Sequence, residues 1–218
     1  MNNSLLSTKI ITPAQQELVL NTGIGLTQYD ILKTEYVILK ENVVWDHIII
    51  TSKNAIPAIL PYLSLIQNIY CVGNKTAALL QENGLQPKYI AQNAVELAIE
   101  LTSHYSNQDY YYLCSEQRRD ELPAFFLDKK IPLKEVFAYR SIAVVKTFDR
   151  IFAAIAFYSP RGVHAFAKAN PNNKTLIAVC IGDTTATTAR LYFKNIVIAN
   201  KQTIENTLIT AIKALRND

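Results

Sequence analysis

"CVGNKTAALLQENG" occupies residues 71–84, and "CIGDTTATTARLYF" occupies residues 180–193. Cys71, Gly73, Thr76 and Ala77 recur as Cys180, Gly182, Thr185 and Ala186, every one shifted by 109 positions. Each copy closes an apolar run, passes a glycine and opens a segment of helical period. That order predicts a strand, a tight turn that glycine permits, and a helix. Asn74 and Asp183 are residue types that cap helices, which places Thr76, Thr184 and Thr185 in the first helical turn. A helix N-terminus offers unpaired N–H groups and a partial positive charge, so such a turn suits a carboxylate or a phosphate. Asp183 puts a like charge beside its copy, so the Gly73–Thr76 copy is expected to be the better anion site.

The repeat extends upstream. "HIIITSKNAIPAIL" (47–60) aligns with "AIAFYSPRGVHAFA" (154–167) and sets Ser52 over Ser159. A short run and a helical segment follow each copy of the glycine phrase: "KYIA" with "NAVELAIEL", and "NIVIA" with "TIENTLITAI". Two blocks therefore share one order: strand, serine turn, helix, strand, Gly-x-x-Thr turn, helix, strand, helix. Continuous apolar runs of four to six residues alternating with helical segments fit parallel strands covered on both faces. The fold class expected is α/β, with two similar parallel-sheet domains. The second block lacks a strand in front of it, and the N-terminal "SLLSTK" with its helix can supply one. The first domain is then discontinuous, 1–34 with 144–218, and the second spans 38–139. The crossings near 31–39 ("ILKTEYVILK") and 135–145 ("KEVFAYRSIAVVK") have strand composition and can pair as a two-stranded hinge.

Composition narrows the function classes. The chain has 218 residues, half of them apolar, enough for two cores of ordinary domain size. No apolar stretch approaches the roughly 18 residues of a membrane-spanning helix. The N-terminus lacks the basic start and apolar run of a signal peptide, so a cytoplasmic protein is expected. The net charge of +4 is too weak to demand nucleic acid but is compatible with an anionic small molecule. Cys71, Cys114 and Cys180 each lie in an apolar run and read as reduced core residues. His47, His104 and His164 show no metal or triad spacing and read as structural or surface groups, and no metal is expected. Tyr110, Tyr111 and Tyr112 read as strand packing.

Other turns repeat the anion-friendly chemistry. Thr51-Ser52-Lys53 and Ser159-Pro160-Arg161-Gly162 put a hydroxyl and a cation beside a helix start. The first strand ends at Thr8-Lys9. In open α/β sheets, turns of this kind line the crevice at the carboxyl ends of the strands.

"VGNKTAALLQENGLQP", "IGDTTATTARLYF", "FYSPRGVHAF" and "VFAYRS" together resemble the uroporphyrinogen-III synthase family, in that family's order along nearly the whole chain. The resemblance implies two flavodoxin-like domains joined by a two-stranded ladder, and a reaction without a cofactor. Linear hydroxymethylbilane, a flexible polycarboxylate, is closed to uroporphyrinogen III with inversion of the last pyrrole ring and loss of water. The family's Thr-Arg at the end of strand one is Thr8-Lys9 here, where lysine keeps the charge and loses the bidentate fork. Its Thr-Ser turn is Thr51-Ser52, and its Gly-x-x-Thr turns run from Gly73 to Thr76 and from Gly182 to Thr185, with Asp183 where the family often has proline. Its Ser-Pro turn is Ser159-Pro160. The arginine of the fourth-strand turn matches Arg119, although "SEQRRDEL" lacks the usual glycine. Tyr139, followed by Arg140, matches the tyrosine that closes the second domain and is the candidate catalytic group, helping hydroxide leave. A monomer is expected. The competing reading is a two-domain protein that closes on an anionic small molecule without chemistry. A nucleotide-linked transferase is disfavoured, since the chain has only six glycines and no G-x-G-x-x-G.

Overall fold

A computed structural model of the chain describes residues 3–39, 45–105, 108–118, 120–172 and 177–216. It divides into two compact units. One comprises the described residues up to 33 and those from 142 onward; the other runs from Thr34 to Ser141.

In the first unit β1 (Ser4–Ser7), α1 (Pro13–Leu20) and β2 (Gly25–Gln28) open the chain. After the second unit come β9 (Ala154–Phe157), α6 (Pro160–Ala169), β10 (Ile177–Cys180), α7 (Asp183–Ala189), β11 (Asn195–Ile198) and α8 (Ile204–Arg216). The sheet order is β11-β10-β9-β1-β2, and every neighbouring pair is parallel. The second unit holds β3 (Leu32–Tyr36), which begins just before its boundary, and β4 (Trp45–Ile50). The short α2 (Ile56–Ile59) follows, flanked by 3-10 turns, and then β5 (Ile66–Val72), α3 (Asn74–Glu82), β6 (Pro87–Ala91) and α4 (Ala94–His104). β7 (Tyr110–Ser115), α5 (Glu121–Asp128) and β8 (Leu133–Ala143) complete it. Its sheet order is β3-β8-β7-β4-β5-β6.

Strand side chains alternate between two cores because each sheet is covered on both faces. Ile48 and Ile50 of β4 join one apolar cluster, while Ile49 between them joins another. In the first unit Leu6, Ile155, Phe157, Ala178 and Cys180 face one cluster; Leu5, Ala154, Ala156 and Val179 face the opposite one. This explains the continuous apolar runs: β1, β9 and most of β4 are buried residue after residue. Cys71 and Cys180 occupy matching core positions, and all three cysteines are buried and unpaired by disulfides. Burial pushes the Cys71 thiol up to about 11 and the Cys180 thiol up to about 12.

The duplicated block is β4 to α4 in one unit and β9 to α8 in the other. Each unit adds one further strand–helix–strand piece to its sheet: β1-α1-β2 precedes the block in the first unit, and β7-α5-β8 follows it in the second, where β3 adds an edge strand beside β8. The two units thus share one arrangement cut at different points along the chain.

Two local expectations differ from the structure. The N-caps of α3 and α7 are Gly73 and Gly182; Asn74 and Asp183 are the first helical residues. The glycines also have different reasons. Gly73 takes φ +84°, a conformation an L side chain rarely adopts. Gly182 is extended at φ −174°, and a Cβ there would meet the Gln202 amide nitrogen at 2.9 Å. The other difference is β2, whose "GLTQ" was not expected as a strand.

Candidate functional site

In the second unit the carboxyl ends of the strands converge on a cavity of about 450 Å³. Thr51 and Ser52 follow directly on β4. Ser52 is extended and its Oγ accepts from the Asn54 N–H at 3.3 Å, which starts the helical turn behind it. β6 leads to Asn93, whose Oδ1 accepts from the Glu96 N–H at 2.9 Å and caps α4. β7 ends at Ser115, and the turn after it brings Gln117 and Arg118 to the rim. Tyr139 comes from β8, in register with Ser115 across a bulge in the β7 ladder.

Arg118 is the best-held charge of this cavity. Its Nε and Nη2 donate to the two Glu135 carboxylate oxygens at 2.7 and 2.5 Å, and Nη1 donates to Asp120 at 2.5 Å. The Glu135 bond pushes the guanidinium pKa further up, so it stays a cation. Asp120 is 86% exposed, whereas Glu135 is 25% exposed, so the Asp120 side is the one a ligand carboxylate can displace. Tyr112 also reaches the cavity: its hydroxyl lies 2.9 Å from Thr51 Oγ1. Burial pushes the Tyr112 pKa up, and the Thr51 bond offsets part of that.

The first unit has a smaller hollow of about 230 Å³ at the same end of its sheet, lined by Thr8, Lys9, Asp30, Ile31, Leu32, Tyr158 and Ser159. Thr8 donates its hydroxyl proton to the Ala156 carbonyl at 2.7 Å, and Ser159 Oγ accepts from the Gly162 N–H at 3.1 Å, capping α6. Both hydroxyls are therefore used by the backbone as well as turned toward the hollow. Burial pushes Tyr158 up to about 12.

Of the residues singled out in the sequence, Thr51, Ser52 and Tyr139 share the larger cavity, and Thr8, Lys9 and Ser159 share the smaller. Lys53, Gly73, Asn74 and Thr76 fall outside the larger lining, although Val72 belongs to it. Thr76 and Thr185 are buried at 6% and 2% exposure, while Thr184 is exposed. Gly162 is buried against Ile31, and Gly182 against Gln202. Arg161 is exposed and lines a separate shallow hollow of the first unit with His164 and Lys168. Arg119 lies outside the described residues. Sequence reasoning passed over Arg118, Asn93 and Gln117, and it read Tyr112 as strand packing alone, whereas Tyr112 also lines the cavity and holds the Thr51 hydroxyl. Asn93 carried a readable signal, an Asn before a helix with Glu three residues on. Among the described residues no cluster of three or more His, Cys, Asp or Glu is arranged to hold a metal ion, and no helix is long and apolar enough to cross a membrane.

Each of the two α/β units gathers hydroxyls, amides and cations at the carboxyl ends of parallel strands, the place where α/β sheets of this class bind small molecules. The family model described as uroporphyrinogen-III synthase HemD matches residues 28–208, and the chain belongs to that family. The fold is similar to that of uroporphyrinogen-III synthetase from Helicobacter pylori, with a TM-score of 0.70 at 18% identity over 97% of this chain and 99% of that one. It is also similar to a mutant uroporphyrinogen III synthase from the extremely thermophilic bacterium Thermus thermophilus, with a TM-score of 0.59 at 15% identity over 99% of both chains. Comparison with curated protein sequences gave no match. The reaction is that of the family: a cyclising lyase step of tetrapyrrole biosynthesis that closes hydroxymethylbilane to uroporphyrinogen III with loss of water.

Proposed function

We propose that the cavity of the second unit holds the reacting end of the bilane and that Tyr139 assists departure of its hydroxide. One observation carries this reading: Tyr139 shares a single cavity with Thr51, Ser52, Ser115 and Arg118, so a hydroxyl for the leaving group stands beside groups suited to carboxylates. Loss of hydroxide gives an electrophilic azafulvene, and the substituted carbon of the last pyrrole ring then attacks it. The protein's main contribution is to fold the chain so that this carbon, rather than the free one, meets the electrophile, which is catalysis by orientation. Proton donation from Tyr139 adds general-acid assistance, worth about 10²–10⁴-fold. Further groups suited to carboxylates are Lys9 and the Ser159 hydroxyl in the first unit, and the first-turn amides of α3 in the second, which no side chain caps. The working form is a monomer in the cytoplasm, a setting that suits three buried reduced thiols.

The test is to incubate the protein with freshly made hydroxymethylbilane and resolve the oxidised products by isomer. Formation of isomer III is expected. Tyr139→Phe should lower kcat by about 10²-fold while leaving product affinity within about twofold. An unchanged kcat removes Tyr139 from the chemistry.

A further inference from the structure

The two units carry the same pair of hydroxyls in matching places. The alignment of Ser52 with Ser159 sets Thr51 over Tyr158 and Ile49 over Ala156. Ile49 is in register with Tyr112, and Ala156 with Ser7. Tyr112 therefore corresponds to Ser7. In one unit Thr51 meets Tyr112 at 2.9 Å; in the other, Tyr158 meets Ser7 at 3.1 Å. The tyrosine and the small hydroxyl have changed strands, but the contact is kept.

The pairs differ in how their protons are spent. Ser7 donates to the Lys9 carbonyl at 2.6 Å, so the proton in its contact with Tyr158 must come from Tyr158. Both protons of that pair are committed. Thr51 and Tyr112 also hold two protons, and their mutual bond consumes one. The remaining O–H is left for a further acceptor, and both residues line the cavity. A phenol is the stronger donor and an aliphatic hydroxyl the stronger acceptor, which favours Tyr112 as donor and Thr51 as acceptor. The opposite orientation would leave a phenol O–H at 4% exposure without a partner, a costly arrangement. Thr51 is the more exposed of the two and can turn its own proton outward.

We propose that Tyr112 is a positioning residue: by donating to Thr51 it fixes the threonine rotor so that Thr51 presents its O–H to a substrate carboxylate in the cavity. The proposal rests on the reading of this cavity as the substrate site. It gives the second unit a neutral donor that the matching pair of the first unit lacks.

The test is a double-mutant cycle with Tyr112→Phe and Thr51→Val, read by steady-state kinetics on hydroxymethylbilane. Each single variant should raise KM about five- to tenfold with kcat within about twofold, the mark of binding lost equally from ground and transition states. The double variant should match Thr51→Val alone, because Tyr112 acts through Thr51. Thr51→Ser, which keeps the hydroxyl, should restore KM. Thermal melts check that the phenylalanine, which keeps the ring in its core, leaves the fold intact. An unchanged KM in Thr51→Val overturns both the substrate-site reading and the proposal. A raised KM in Thr51→Val with none in Tyr112→Phe, or additive effects in the double variant, overturns the proposal alone.

Discussion

Replacing each glycine of the repeated phrase with alanine separates the two physical reasons for a single motif. Gly73 and Gly182 are both N-caps, so the penalty of an alanine cap is common to both variants and cancels in the comparison. At Gly73 the new Cβ meets no heavy atom within 4 Å. Its cost is backbone strain at φ +84° and ψ 140°, about 1–3 kcal/mol, and the gain from a stiffer unfolded chain is common to both variants and also cancels. At Gly182 the backbone is extended and unstrained, and the Cβ collides only with the exposed Gln202 side chain, which can swing aside for about 0.5 kcal/mol. Gly73→Ala should therefore cost about 0.5–2.5 kcal/mol more than Gly182→Ala. Urea denaturation followed by far-ultraviolet circular dichroism gives both values, with the slope against urea unchanged if only stability has moved. Adding Gln202→Ala should relieve Gly182→Ala and leave Gly73→Ala as it was. Equal costs, or rescue of Gly73→Ala by Gln202→Ala, would refute the assignment of strain to one copy and crowding to the other.

Two further outcomes follow from charges already described. Asp120→Asn frees one edge of the Arg118 guanidinium, and KM for the bilane should fall about two- to fivefold at low salt, with the gain lost at high salt; an unchanged KM at low salt counts against Arg118 as a carboxylate contact. His47, buried beside the Tyr70 hydroxyl at 3.0 Å, has its pKa lowered by burial first and by Lys88 second. The unfolded chain thus takes up a proton before the folded one does as pH drops below about 6.5, so this contribution to stability is present above that value and is lost as pH falls through the folded pKa. His47→Gln should flatten the decline in urea midpoint between about pH 7.5 and 5; a decline as steep as in the parent protein assigns it to other groups.

The fold was legible because strands covered on both faces must be apolar at successive positions, and that pattern appears twice with Cys71 and Cys180 at the same place in each core. β2 escaped notice because "GLTQ" has one aliphatic residue in four and no position that is fully buried. The helix starts were offset by one residue because Gly73 and Gly182 take the cap position that polar side chains usually fill. The site was harder to read. Thr51 and Ser52 could be placed at a strand end, but no local pattern announces that Tyr112, 61 residues away, completes the hydroxyl pair. Arg118 carried no mark of its own in the sequence; its partner is a glutamate on the next strand, which only the parallel pairing of β7 and β8 brings to it.

The different cutting points of the two units have a consequence during synthesis. All the strands whose pairing builds the second unit's sheet have been made once residue 143 is reached, so that unit can close while the rest of the chain is still being added. The first unit cannot. β1 pairs on both sides within its sheet, and its second partner, β9, begins at residue 154. Until then β1 carries an open hydrogen-bonding edge, the kind that invites pairing with another chain. About 150 residues separate the end of β1 from the end of β9, which take about 8–30 s to make at about 5–20 residues/s. The hazard for this protein in the cell is therefore greatest at its N-terminal strand–helix–strand piece, held waiting for a neighbour that arrives late.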